Sequence, residues 1–252
     1  MRVLSIVCSC SGKSGITTMF SDMAAKKLTE RSALSGESVE YECITADTVD
    51  LRFCRSCNGC FIKGVCPLDS VDDTAKIKEK IISSDVIFFC TPVYLTTMSG
   101  FAKSLLDRIA YYSHRFDLAG KTVAVLVTTS NNHGDATVNE VKKMLQFMGA
   151  SVAYAGCAYR HVGDPNIYLP EQMAPELDRL ADNVLDCLNA PEKYIEKWQD
   201  ISFIKRNKTN QKVVLESEIL GLQIPDETRV CIERGLNNYR TLTEYVLSMK
   251  GG

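Results

Sequence analysis

The sequence predicts an α/β fold, a doubly wound, five-stranded parallel sheet covered by helices on both faces. Two observations carry it. Five short apolar segments alternate with helical patterns between Val3 and Cys157, the order that right-handed crossovers and a parallel sheet require. Val86 to Cys90 is an uninterrupted apolar run, as in strands buried on both sides.

Val3 to Cys8 is the first strand, followed by small polar residues and Gly, then by a helical pattern to about Arg31. Tyr41 to Thr45 is the second. Asp72 and Asp73 open a helix to about Ser83, where acidic side chains suit the positive helix end. After the third strand, Thr91 and Pro92 lead to a helix over Gly100 to Tyr112. Lys121 to Thr128 is the fourth strand, with a helix over Val138 to Met148, and Ser151 to Cys157 is the fifth. A helix over Pro175 to Leu188 closes the fold. Beyond Trp198 lies a polar stretch, Lys205 to Lys212. The apolar segments Val213 to Leu222 and Tyr239 to Met249 are too little for a separate core, and are expected to pack on the main domain or on a second subunit.

At 252 residues, 45% apolar and 24% charged, the chain suits one main domain with an appendage. Its 29 Lys and Arg face 31 Asp and Glu, leaving no basic excess for phosphate backbones or anionic membranes. No nucleic-acid or membrane partner is expected. The N-terminal apolar run lacks a signal cleavage site and no stretch approaches membrane-spanning length, so a cytoplasmic location is expected. Eleven cysteines, an odd number in so long a chain, speak against a secreted disulfide framework.

Four of them, Cys54, Cys57, Cys60 and Cys66, stand at C-x2-C-x2-C-x5-C with Pro67 behind the last, on a loop between a strand and a helix. Thiolates at this spacing can converge on one soft centre. The bacterial ferredoxin run, C-x2-C-x2-C-x3-C-P, shares the first intervals and the proline. A [4Fe-4S] cluster, structural zinc, a dithiol or disulfide, and small buried apolar fillers all remain open. Cys8, Cys43, Cys90 and Cys157 are expected to fill core space near strands. Cys10 stands apart, at a helix N-terminus where a thiolate is stabilised.

The loop Ser9 to Thr17 joins the first strand to the first helix. Hydroxyls, glycines and N–H groups at a helix N-terminus make a phosphate site, and a capped helix start is the plainer reading. Gly12-Lys13-Ser14 suggests a nucleoside triphosphatase, but Val7 occupies the place where that motif needs glycine, and no G-x-G-x-x-G is present.

The loop, the cysteine run with Asp72-Asp73, and the segment Thr91-Pro92-Val93-Tyr94 followed by Ser99-Gly100, Lys103 and Asp107-Arg108 together resemble the NADPH-dependent FMN reductase family, and within it the iron-sulfur flavoproteins. The resemblance covers roughly residues 2 to 160. It implies a flavodoxin-like sheet of order 2-1-3-4-5 with FMN at its carboxyl edge, residues 1 to 190 forming the FMN-binding domain and 191 to 252 a C-terminal extension. Ser9, Ser11, Lys13, Ser14, Gly15, Ile16 and Thr17 would hold the FMN phosphate. Pro92, Val93, Tyr94 and Leu95 would line the ring, and Thr128, Thr129, Ser130, His133 and Gly134 would border its other edge. Lys103, Asp107 and Arg108 look structural. Cys8-Ser9-Cys10-Ser11 replaces the family's usual Gly-Ser-Pro-Arg, so Lys13 is the cation left for the phosphate, and Asp72-Asp73 stand further from the last cysteine than usual.

No catalytic side chain is required, because the flavin carries the chemistry. His114, His133 and His161 show no metal spacing; His133 reads as a ring contact or as a solvated loop residue. The reading is an FMN-dependent oxidoreductase, reduced by NAD(P)H or an electron-carrier protein and passing hydride or electrons to a small-molecule or protein acceptor. One alternative is an iron-sulfur flavoprotein relaying single electrons through a [4Fe-4S] cluster on Cys54, Cys57, Cys60 and Cys66. The other is a non-catalytic flavin-binding or zinc-stabilised interaction protein. The resemblance also implies a homodimer or homotetramer.

Overall fold

The structure is a computed structural model that describes residues 1–130, 133–159 and 170–250. The chain runs β1 (Arg2–Val7), α1 (Ile16–Ala33), β2 (Glu40–Thr45), α2 (Gly59–Lys63), α3 (Thr74–Ser83), β3 (Val86–Tyr94) and β4 (Thr97–Met98). It continues through α4 (Gly100–Arg108), α5 (Tyr112–Arg115), β5 (Thr122–Thr129), α6 (Gly134–Phe147) and β6 (Ser151–Tyr159). After these come α7 (Pro170–Asn189), α8 (Lys197–Leu220), α9 (Asp226–Glu233) and α10 (Leu242–Ser248). The sheet order is β2-β1-β3-β5-β6, with the short β4 antiparallel on β3. Counted over the five parallel strands this is the expected 2-1-3-4-5. The winding reverses direction between β1 and β3, which opens a crevice at the carboxyl edge.

Alternation along the strands divides the core. Leu4, Ile6, Ile87, Phe89, Val123 and Val125 pack with α3, α4 and α6 on one face. Val3, Val7, Phe88 and Leu126 pack with α1 and α7 on the other. Both Phe88 and Phe89 are buried, each contributing about 1.5–3 kcal/mol. A third cluster joins Phe203 of α8, Cys231 of α9 and Leu242, Tyr245 and Val246 of α10 to Phe116 and Ala119, which follow α5. Among the described residues no helix is long and apolar enough to cross a membrane.

Two elements differ from expectation. The helix begun at Gly100 ends at Arg108 instead of Tyr112, because Ile109, Tyr111 and Tyr112 all turn inward, which one helical stripe does not permit. The polar stretch Lys205 to Lys212 is the middle of the 24-residue α8. That helix meets the body with Gln199, Asn207, Asn210 and Ser217 as well as Phe203, so its sequence lacks an apolar period.

Candidate functional site

The carboxyl ends of β1, β3 and β5 meet at a cleft of about 150 Å³ lined by Ser9, Ser11, Ile16, Thr17, Pro92, Val93, Tyr94, Thr128, Thr129 and Ser130. Ten of the sixteen residues named from sequence for the flavin therefore share one wall. Lys13, Ser14 and Gly15 continue the first loop just beyond it. Leu95 is 94% exposed at the tip of the following hairpin, and His133 and Gly134 begin α6. Asn131 and Asn132 between them, and His161, lie outside the described residues.

In the first loop Gly12–Ser14 forms a single tight turn, the N–H of Gly15 donating to the Gly12 carbonyl at 3.1 Å. Gly12 has φ +58°, and a Cβ there would lie 2.5 Å from an Asp47 carboxylate oxygen, so only glycine fits. The N-cap of α1 is Gly15, which offers no side-chain acceptor. First-turn N–H groups have no carbonyl a turn earlier to bind, which leaves those of α1 for an anion. Thr17 and Thr128 hydrogen-bond through their buried hydroxyls at 2.7 Å and join this loop to β5. Hydroxyls and N–H groups without a facing carboxylate among the cleft residues are a donor set that suits a phosphate monoester.

Sequence reasoning missed the hairpin beside the cleft. Val93 pairs with Met98 and Tyr94 with Thr97, leaving Leu95 and Thr96 as a two-residue turn with φ +45° and +72°. Such turns favour Asn-Gly, and a β-branched residue at positive φ is strained by about 1–3 kcal/mol. Neither residue type signals a turn. Its far strand is fixed by Ser99, which caps α4 by accepting from the Ala102 N–H at 3.2 Å and donates to the Cys8 carbonyl at 2.6 Å. The cleft is smaller than the roughly 300–1,000 Å³ of most small-molecule sites, so a flavin would extend beyond it over the half-exposed Tyr94.

The four cysteines line a second cavity, of about 340 Å³, with Phe61, Leu68, Asp107 and Arg108. Cys54 and Cys57 are exposed, Cys60 is half-buried and Cys66 buried. Burial first, and then the neighbouring Cys66, push the Cys60 thiol up. Among the described residues no group of three or more His, Cys, Asp or Glu side chains stands close enough to hold a metal ion, so the thiols share a wall without converging. As a donor set, four thiols on one cavity fit a soft metal centre.

The loop carrying them is closed at its base by the acidic pair, whose helix-opening role is secondary. Asp73 accepts from the Asp50 N–H at 2.9 Å, and Asp72 accepts from the N–H groups of Arg52 at 3.1 Å and Thr74 at 3.0 Å. Arg108, with no side-chain exposure, bonds Asp72, Asp69 at 3.0 Å and the Arg52 carbonyl at 3.0 Å. Burial alone would lower its pKa, but the hydrogen bond to Asp72 and the neighbouring Cys66 outweigh this and raise it. Burial alone would raise that of Asp72, whereas the bonds from Arg108 and Thr74 hold the carboxyl well below its ordinary range. On the opposite rim Phe61 packs on His114 with ring centroids 4.8 Å apart, and Arg115 donates to the Gly64 carbonyl at 2.7 Å. The hairpin beside the cleft leads into the start of α4 and the cysteine cavity lies at its end, with nine residues of helix, about 13 Å long, between them.

Of the remaining cysteines, Cys8 and Cys90 are buried as expected, Cys43 and Cys157 are half-buried, and Cys10 is exposed. Cys43 and Cys157 thus fill core space only in part, since each has one side at the sheet margin.

The NADPH-dependent FMN reductase family matches residues 1–162, which include every strand of the sheet. An iron-sulfur flavoprotein of Methanocaldococcus jannaschii is 35% identical over 107 residues, 42% of this chain and 54% of that protein. One from Archaeoglobus fulgidus is 26% identical over 149 residues, 57% of this chain and 67% of that protein. The chain thus matches about half to two thirds of the length of these relatives. The solved structure of RosB with bound 8-demethyl-8-formylriboflavin-5'-phosphate superimposes with a TM-score of 0.56 at 15% identity, over 76% of this chain and 81% of that one. An apo NADH:FMN oxidoreductase gives 0.52 at 16% identity, over 73% and 89%. These likenesses show the fold, and with the family match over the whole sheet the chain belongs to the NADPH-dependent FMN reductase family.

Proposed function

We propose that the chain is an FMN-dependent oxidoreductase, reduced by NAD(P)H or an electron-carrier protein, that serves a small-molecule or protein acceptor. The carrying observation is the cleft at the carboxyl ends of β1, β3 and β5, where a hydroxyl-rich loop and the open start of α1 face the segment Pro92 to Tyr94. Ser9, Ser11, Ser14, Thr17 and the N–H groups of Ile16 and Thr17 would bind the phosphate beside Gly15, with Lys13 as counter-charge. Pro92, Val93, Tyr94 and Leu95 would support one edge of the ring, and Thr128 to Ser130 with His133 and Gly134 the other. FMN bound there would supply hydride and single-electron chemistry, and these residues would orient it.

The cysteine cavity favours a second reading within the first, a [4Fe-4S] cluster held by Cys54, Cys57, Cys60 and Cys66. Its support is the shared cavity, the ferredoxin-like spacing, and relatives that bear the name iron-sulfur flavoprotein. Residues 1 to 190 would then be the flavin unit and 191 to 252 an extension packed against it through Phe116 and Ala119.

The test is the absorption spectrum and iron content of protein purified without oxygen. Flavin bands with a broad shoulder and about four irons per chain support both readings. Flavin without iron supports the first alone. A colourless protein that does not take up FMN defeats both.

A further inference from the structure

Arg108 carries five N–H groups in one rigid plane, and four of them are used. Its Nη1 donates to the Arg52 carbonyl at 3.0 Å and to Asp72, and its Nη2 donates to Asp69 at 3.0 Å and to Asp72 at 3.3 Å. The fifth, on Nε, is buried and has no acceptor among the described residues. A buried donor without a partner is costly, and with Arg108 only 1% exposed water does not serve as one. Such a donor points to an acceptor that comes into place only when the site is filled.

The cysteine cavity offers that acceptor. Arg108 lines it, and the thiol beside the guanidinium is Cys66, the buried member of the four. One short segment holds both groups: the Cys66 carbonyl accepts from the Asp69 N–H at 3.0 Å, and the carboxylates of Asp69 and Asp72 grip the guanidinium. Lys78 in turn holds both Asp69 oxygens, at 2.9 and 2.8 Å. Cys66 is therefore tied to Arg108, whereas Cys54 and Cys57 are exposed. A thiol sulfur is a weak acceptor, but the sulfur of a metal-bound thiolate carries negative charge and takes an N–H more strongly.

We propose that Arg108 is a positioning residue for the metal centre of the cysteine cavity, donating its Nε–H to the Cys66 sulfur and so raising the reduction potential of that centre. This rests on the cluster reading of Cys54, Cys57, Cys60 and Cys66. A hydrogen bond to a ligating sulfur favours the state with one more electron, in which the sulfur bears more negative charge.

Redox titration of protein purified without oxygen, followed by electron paramagnetic resonance, tests it, with iron counted and folding checked by circular dichroism. Arg108→Lys keeps a cation near the aspartates without the planar fork, and Arg108→Met/Asp72→Asn removes the donor together with one charge of each sign. Each variant is expected to hold about four irons per chain and to have its one-electron midpoint lowered by about 59 mV, a tenfold shift in the ratio of reduced to oxidised centre. Equal midpoints in loaded wild type and variants overturn the inference and leave the cluster reading standing. Loss of iron from both folded variants also overturns it, since Arg108 would then only build the loop. A wild type that neither carries iron nor takes it up from iron and sulfide overturns both.

Discussion

Replacing Arg108 by methionine isolates the charge network under the cysteine loop. The guanidinium and the Asp72 carboxylate both have side chains with no exposure, so the substitution leaves a buried carboxylate without its counter-ion. Removing one partner of such a pair costs about 3–5 kcal/mol. Asp72 keeps the N–H groups of Arg52 and Thr74, and Asp69 keeps Lys78 at 2.8 Å, which places the expected loss toward the lower end of that range. For a chain of this size the unfolding midpoint should fall by roughly 6–20 °C. The pH dependence gives a second reading of the same pair. Because the folded Asp72 pKa is depressed, its stabilisation is complete above the unfolded value near about 3.9 and is lost as pH falls through the folded one. The gap between wild type and Arg108→Met should therefore be widest at neutral pH and narrow as the pH falls, because the unpaired Asp72 carboxylate of the variant takes up its proton before that of the wild type does. Urea unfolding across this range measures both. A loss below about 1 kcal/mol at pH 7, the level of an exposed pair, would refute the reasoning. So would failure of Arg108→Met/Asp72→Asn to recover part of it.

Other outcomes follow from single sites. A Cβ on Gly134 would lie 2.4 Å from Cys157 Sγ and 2.6 Å from the Tyr159 hydroxyl, so Gly134→Ala should displace the start of α6, cost about 1–3 kcal/mol, and weaken FMN binding in a fluorescence titration. Burial first, then Asp135, push the Cys157 thiol to about 12; iodoacetamide at pH 8 should label Cys10, Cys54 and Cys57 well before Cys157, as read by peptide mass spectrometry. Glu196 caps α8 reciprocally with Gln199, and bonds from Gln146 and Lys142 hold its carboxyl down to about 2. Glu196→Ala should cost about 1 kcal/mol at neutral pH, and that difference should fade as pH drops from about 4 toward 2. Equal thermal midpoints for the two proteins at pH 7 would contradict it.

How much of this could be read from sequence depends on whether the cause is local. Val86 to Cys90 announces a doubly covered strand because burial on both faces removes the need for polar residues, and such strands fixed the position of the loops at their ends. That Ser9 to Thr17 and Thr91 to Tyr94 belong to one cleft came from the family resemblance, since the first loop alone reads equally as a capped helix start. Asp72 is different. Its principal partner, Arg108, is 36 residues away, and nothing near either residue announces that a carboxylate closes one loop against the end of a distant helix. Leu95 and Thr96 were hidden for another reason, since the turn they make is normally written with glycine or asparagine. In α8 the buried face is polar, and a helix held by Gln199, Asn207 and Asn210 leaves no hydrophobic rhythm to find.

The helix α4 is bolted at both ends by buried polar contacts, Ser99 to the Cys8 carbonyl at its start and Arg108 to Asp69 and Asp72 at its finish. It therefore works as a ruler. The interval between the hairpin beside the cleft and the cysteine cavity is that of a helix held at both ends. Because electron exchange is steeply sensitive to separation, any such traffic here would have its speed written into the scaffold instead of being set by a gate.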